Sequence, residues 1–238
     1  MTQQPVLSII LPTFNEAENI VKLIKSIQST VYPKKEIIVV DDNSPDGTWK
    51  RVQDYAESNP DVKLIRRLNE SGLTSAIQKG IDQANGQYIG WLDCDLSMPP
   101  EKFNLFFETL LSGCEIAVGS RYVKGGADLR AEKLHVILSK VICEVCRVSL
   151  KRDFHDYTSG FILAKADLFK HVRLNGDYGE YFIDLIWRAH RLGFRIKEIP
   201  YQFTSRTWGE SKTATNPLGF LKRGPKYLAQ IARCRLGL

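Results

Sequence analysis

Two aspartates spaced two residues apart, Asp93 and Asp95, directly follow the short apolar run that ends in Trp91-Leu92. Carboxylates that close repel one another unless a cation or hydrogen bonds offset the repulsion. An all-oxygen donor set favours Mg²⁺ or Mn²⁺, and Mg²⁺ takes only one or two protein carboxylates before completing its shell with water and substrate phosphates. The pair therefore points to a metal ion holding a diphosphate. A bare D-x-D is common in acidic turns, so its weight depends on what stands beside it. Two further polar clusters stand in register with it: Pro12-Thr13-Phe14-Asn15-Glu16 and Asp41-Asp42-Asn43-Ser44, each directly after a strand-like apolar run.

The elements that must bring these clusters together are legible as a β/α alternation. Val6 to Leu11 reads as a strand, and Ile20, Leu23, Ile24 and Ile27 then share one helical face. The pattern repeats with a strand over Glu36 to Val40, a helix from Asp46, a strand over Val62 to Ile65, a helix over Ser71 to Ala84 and a strand over Tyr88 to Leu92. Such alternation predicts an α/β fold with a mostly parallel twisted sheet covered by helices on both faces. Ligands of such sheets bind beyond the carboxyl ends of the strands, where all three polar clusters fall. Further on, a helix is expected over Ala131 to Leu150 and another over Phe182 to Leu192, then a strand over Arg195 to Ile199 and a polar loop over Thr204 to Thr215.

Composition excludes several classes. At 238 residues, 43% apolar and 25% charged, the chain is long enough for one large domain and has neither the bias of a disordered segment nor that of a fibrous repeat. No apolar run approaches the roughly 18 to 20 residues that cross a bilayer, and Met1 to Pro5 lacks a signal-peptide pattern, so a cytosolic location is expected. The five cysteines read as reduced thiols, with Cys143 and Cys146 on one helix face rather than in a zinc site. Of the net charge of +6, all lies after residue 204, where seven basic residues meet Glu210 alone. The tail from Pro217 to Leu238 alternates apolar and basic residues around Gly224-Pro225, which predicts a short, broken amphipathic helix suited to an anionic membrane surface. It is poor in aromatics and carries no nucleic-acid motif, so no nucleic-acid partner is expected.

Six ordered motifs carry a family resemblance: Pro12 to Glu16, Val40 to Thr48, Asp93 to Ser97, Gly119-Ser120-Arg121-Tyr122, Thr158-Ser159-Gly160-Phe161 and Arg206 to Lys212. Over roughly residues 5 to 215 the chain resembles the polyprenol-phosphate sugar transferases of glycosyltransferase family 2, nearest the branch that makes dolichol-phosphate mannose. The resemblance implies a GT-A (Rossmann-like) catalytic domain over 1–215, followed by a basic amphipathic tail over 216–238. It implies that Pro12, Phe14 and Glu16 line the nucleotide-sugar pocket, that Val40 and Asp42 hold its base or ribose, and that Asp93 and Asp95 bind the metal, with Cys94 contributing through its backbone and Ser97 as a possible added ligand. Arg121, Arg206 and Lys212 would gather phosphate, a guanidinium gripping it through two parallel hydrogen bonds and an ammonium adding a point charge. Asp184 matches an acidic position of the family, with an ordinary helix-surface aspartate as the alternative.

The activity so implied is inverting, metal-dependent hexosyl transfer, most simply from GDP-mannose, with UDP-glucose as the alternative donor, to a polyprenol phosphate. A phosphate acceptor is already anionic, so it needs positioning and charge neutralisation rather than a strong base. Transfer to a hydroxyl would instead need a carboxylate base, for which Asp184 is the candidate, and a catalytically silent subunit is a further alternative. Peripheral attachment to the cytosolic face of a membrane would come from the tail or from an anchor subunit. Two departures from the family stand out: Phe14 in place of a frequent tyrosine, and Glu70-Ser71-Gly72-Leu73-Thr74 where relatives usually show a basic residue and Gly-Leu-Gly.

Overall fold

The computed structural model describes residues 6–206 and 217–237, and the side chains of 217–223 are left out of the description. Strand β1 (Leu7–Thr13), helix α1 (Ile20–Thr30), β2 (Lys35–Asp41), α2 (Thr48–Ala56), β3 (Val62–Arg66), α3 (Leu73–Asp82) and β4 (Tyr88–Trp91) follow the expected alternation. Then come α4 (Lys102–Leu111), β5 (Ile116–Ser120), a short β6 (Ala127–Asp128), α5 (Lys133–Ser149), β7 (Ile162–Lys165), α6 (Leu168–His171), α7 (Tyr181–Arg191), β8 (Ile196–Pro200), β9 (Gln202–Phe203) and α8 (Pro217–Leu236).

Seven strands form one sheet in the order β3-β2-β1-β4-β7-β5-β8. All neighbours pair in parallel except β7, which runs antiparallel to both β4 and β5. The strand alternation sends Ile10, Ile38, Val40, Ile89 and Trp91 to a core shared with α3, α5, α7 and α8. Leu7, Ile9, Leu11, Ile37 and Val39 face the opposite core, shared with α1, α2 and α4. The two-residue period of a strand thus fills both faces from one continuous apolar run. Because β2 and β4 flank β1 on opposite sides, the chain changes direction there, opening a crevice at the carboxyl ends of these strands.

The tail differs from its sequence reading. It forms one helix that runs through Pro225 instead of breaking at Gly224-Pro225. Tertiary packing accounts for the difference: Gln230, Ile231 and Cys234 are buried, and the last two join the core between α5 and α7. No described helix is long and apolar enough to cross a membrane.

Candidate active site

The loop after β1 is fixed by the segment after β2. Thr13 Oγ1 donates to Asp41 Oδ2 at 3.0 Å, and Ser44 donates to the same carboxylate through its hydroxyl (2.6 Å) and its backbone N–H (2.8 Å). Ser44 Oγ in turn accepts the N–H of Asn15 at 3.0 Å; Thr48 Oγ1 accepts that of Glu16 at 2.9 Å, and Asp46 that of Ala17 at 3.0 Å. Most of the motif from Asp41 to Thr48 is therefore a scaffold that satisfies loop N–H groups. Only Asp42 from this segment lines the crevice, a cleft of about 480 Å³ that also contains Pro12, Phe14, Glu16, Cys94 and Asp95. Val40, expected at the base or ribose, is fully buried in the core beneath. As an inward-facing strand residue it turns its side chain away from the cleft, so any contact with a base or ribose would fall to its backbone.

Asp42 is held by a residue that motif reading missed. Arg67 is buried, and its Nε donates to Asp42 Oδ1 at 2.6 Å while its other nitrogens donate to Ser75 Oγ (2.8 Å) and Gly72 O (2.9 Å). The N–H of Gly72 closes the ring onto Asp42 Oδ2 at 2.8 Å, from a backbone with φ of 118° that only glycine adopts without strain. Arg67 thus restores a positive charge beside the loop from which the family's basic residue is missing.

Asp93 and Asp95 project from the turn after β4, where Leu96 holds an unusual φ of 64°. A leucine in that region is strained, and such strain gathers at functional sites. Asp93 opens onto the cleft yet is walled by protein; that burial, then the fields of Asp95 and Glu16, push its carboxyl up to about 7, while Arg121 and Arg206 pull the other way. Arg206 Nη2 lies 2.7 Å from Glu16 Oε1, and its Nε 3.8 Å from Asp95 Oδ2. Glu16, Asp93 and Asp95 thus gather beside Arg206, while the nearby Arg121 is already paired with Asp156. The excess of hard oxygen donors fits a divalent cation. Among the described residues no three acidic, histidine or cysteine side chains come together as a cage, so the remaining donors of such an ion would be phosphate and water. Ser97 is buried and donates its hydroxyl and its N–H to Asp95 Oδ1, so in this structure it orients the carboxylate. Cys94 Sγ turns to Pro12 O at 3.3 Å, which leaves its backbone on the cleft side.

Arg121 occupies a different setting from the one its motif suggests. Its Nε and Nη2 grip Asp156 at 2.8 and 2.7 Å, Nη2 also donates to Thr158 Oγ1 at 2.8 Å, and Nη1 lies 3.4 Å from Asp128. Burial opposes its charge, but the field and hydrogen bonds of Asp156 outweigh that and hold it well above the ordinary arginine range. Arg121 and Arg130 sit on a second cavity, a trough of about 700 Å³ lined mainly by apolar side chains of α5, including Leu134, Leu138, Val141 and Val145, and by Pro225 and Leu228 of α8. Asp156 could have been suspected from its place two residues before Thr158; Arg130 carried no signal beyond its charge.

Asp184 lies on neither cavity. It is buried on α7, accepting from Gln230 of α8 at 3.1 Å and meeting Arg188 at 3.4 Å. Burial raises its pKa, against the pull of Arg188. Here it joins two helices through Gln230, with Arg188 on its own helix. Lys212 and the rest of the last motif after Arg206 lie outside the described residues. Cys143 and Cys146 are buried free thiols of α5, Cys143 pushed up to about 12 by burial and the nearby Asp156.

A mostly parallel sheet with one antiparallel strand and a D-x-D turn at its switch point defines a GT-A type nucleotide-sugar transferase fold. The family model described as glycosyl transferase family 2 matches residues 8–173, and the chain belongs to that family. A dolichol-phosphate mannosyltransferase from Pyrococcus furiosus is 36% identical over 208 residues, 86% of this chain but 58% of its own, so the present chain spans less than two thirds of that relative. A polyprenol monophosphomannose synthase from Mycolicibacterium smegmatis is 33% identical over 211 residues, 86% of this chain and 79% of its own. Among solved structures, glucosyl-3-phosphoglycerate synthase from Mycobacterium tuberculosis, bound to Mn²⁺, UDP and glucosyl-3-phosphoglycerate, aligns with a TM-score of 0.71 at 19% identity over 98% of this chain and 81% of that one. At that identity the likeness speaks to the fold.

Proposed function

We propose that this chain transfers a hexosyl group, mannose from GDP-mannose in the first instance, to a polyprenol phosphate with inversion at the anomeric carbon. The observation that carries this reading is the meeting of two unlike cavities: the acidic cleft and the apolar trough both border Asp93. A donor diphosphate suits the first and a long hydrocarbon acceptor the second. The names of the polyprenol-phosphate relatives support the acceptor class.

Asp93 and Asp95 would hold Mg²⁺ or Mn²⁺, which as a Lewis acid would stabilise charge on the departing nucleoside diphosphate. Asp42, braced by Arg67, would meet the base or ribose, with Pro12 and Phe14 along the wall. Arg206 would trade Glu16 and Asp95 for phosphate oxygens once a cation neutralises the carboxylates. Arg121 is already committed to Asp156, so its part is to build the head of the trough, while Arg130, 22% exposed, is the more accessible base there. Lys212 is proposed as a further phosphate ligand. An acceptor that arrives ionised leaves these groups only orientation and charge neutralisation to supply.

Peripheral membrane contact also fits. Helix α5 leaves Leu134, Ile137, Val141 and Val148 exposed at spacings of three, four and seven residues, and Leu228 of α8 is exposed beside the same trough. The test is incubation of the purified chain with GDP-mannose or UDP-glucose, polyprenyl phosphate in detergent micelles, and Mn²⁺ or a chelator, with lipid products read by mass spectrometry. A lipid-linked phosphosugar formed with one donor and abolished by the chelator supports the reading; no lipid product from either donor overturns it.

A further inference from the structure

We infer that Tyr178 positions the transferred sugar and shields its anomeric carbon from water where cleft and trough meet, an inference that rests on the function proposed above. Among the described residues only Leu73, Asp93 and Tyr178 line both cavities. In the transfer, an acceptor phosphate oxygen forms a bond to the anomeric carbon as the carbon–oxygen bond to the donor diphosphate breaks, its electron pair leaving with the diphosphate. The attacking atom comes from the trough and the leaving group stays in the cleft, so the reacting carbon lies beside these three residues. Asp93 would be committed to the cation, and Leu73 is a short aliphatic side chain at the start of α3. The half-buried ring of Tyr178 is the one large surface left to pack against a sugar ring and exclude solvent.

The loop that carries this ring is held from two sides. Thr74 Oγ1 donates to the carbonyl of Tyr178 at 3.3 Å, and the N–H of Asp177 donates to Glu180 Oε1 at 2.9 Å. From α8, Lys226 forms an ion pair with Asp177. Tyr227 presses so closely on Gly179 that a Cβ there would stand 2.3 Å from its hydroxyl oxygen, so a larger residue would push the tyrosine aside. Thr74 is one of the positions at which this chain departs from the family's Gly-Leu-Gly, and its hydroxyl gives the loop an anchor that a glycine lacks. A loop held in this way needs little ordering when substrate arrives.

Water is the competing acceptor: attacking the same carbon, it breaks the same bond, loses a proton and releases free sugar. Shielding should therefore appear in the partition between transfer and hydrolysis. Tyr178→Ala, Tyr178→Phe and Thr74→Val are made in the full chain, and lipid-linked sugar and free sugar are quantified from the same reaction, with kcat and KM for the nucleotide sugar. Tyr178→Ala is expected to lower transfer kcat by roughly tenfold to a hundredfold, as misplacement of reactants does, with little change in donor KM and a several-fold rise in the free-sugar fraction. Tyr178→Phe should restore both, because the ring rather than its hydroxyl does the shielding, and Thr74→Val should fall between. Should Tyr178→Ala melt, Thr74→Val alone decides. A folded Tyr178→Ala, or Thr74→Val where that variant melts, with the wild-type partition and kcat overturns the inference, whereas a wild-type chain that makes no lipid product overturns the proposed function itself.

Discussion

The acidic cleft and the apolar trough both border Asp93 but are assembled in opposite ways. The cleft draws one wall from strand ends: Pro12 at the end of β1, Phe14 and Glu16 just after it, Asp42 after β2, and Asp93 and Asp95 after β4. Regular β/α alternation brings those ends into register, so a short motif at each carries positional meaning. The trough instead joins α5, the loop before β7, the loop before α7 and α8, which lie far apart in sequence and share no repeat. Where topology is periodic, chemistry can be placed from the chain alone; where it is not, packing decides.

That contrast can be broken first on the donor side. Asp95→Ala should lower metal-dependent transfer by about a thousandfold or more, since charge stabilisation by a metal is worth several kcal/mol. Circular dichroism and the melting temperature should change little, because the residue lies at an open cleft; retained activity would remove the metal assignment. On the acceptor side, Arg121→Ala strands Asp156 in the interior and should cost about 3–5 kcal/mol of stability, the usual penalty for breaking a buried pair. Urea unfolding would measure it, and a loss below about 1 kcal/mol would mean that the pair is not the structural anchor described.

Smaller effects sharpen the comparison. Val141→Asp places a charge in the trough, and should raise the KM for polyprenyl phosphate by roughly tenfold while leaving that for the nucleotide sugar unchanged. Equal changes in both would mean that the cavities are not distinct sites. The raised carboxyl of Asp93 predicts a pH dependence: with a folded pKa of about 7 against an ordinary 3.8, its destabilising effect is absent below 3.8, grows as pH rises through that interval and is complete above about 7. A cation competes with the same proton, so binding of Mn²⁺ with a nucleoside diphosphate should weaken by up to about tenfold per pH unit below 7, as titration calorimetry can measure. Smallest is Asp184→Asn, expected to shift stability by no more than about 1 kcal/mol and to leave transfer near wild type, because the amide oxygen can still accept from Gln230 and the residue lies off both cavities.

Much of the fold was legible because each early strand is a short apolar run followed by a helical face, as in Leu7–Thr13 with Ile20, Leu23 and Ile24. The antiparallel β7 was not, since Ile162–Lys165 offers four residues whose direction is set by pairing with β4 and β5. In the site, Glu16, Asp42, Asp93 and Asp95 reached the cleft as their motifs implied. Val40 did not, because a strand residue inside a motif shares its spacing whichever face it serves. Arg121 and Asp184 show a related limit: a charged residue in a motif reads alike whether it meets a substrate or a buried partner such as Asp156 or Gln230. Tyr178 and Arg67 were invisible as site residues, because their placement depends on Thr74, Gly72 and Asp42, contacts that no local pattern announces.

The central claim, that a lipid phosphate lies along α5 and α8 with its head at Asp93, is tested most directly by photo-crosslinking. A polyprenyl phosphate bearing a diazirine near its first isoprene unit is irradiated with the full chain, Mn²⁺ and a nucleoside diphosphate, and labelled peptides are sequenced by mass spectrometry. The account predicts label on residues 134–145 and 225–228, competed by unlabelled polyprenyl phosphate and reduced in Val141→Asp. Specific label confined to the opposite face of the sheet, on α1, α2 or α4, would contradict it.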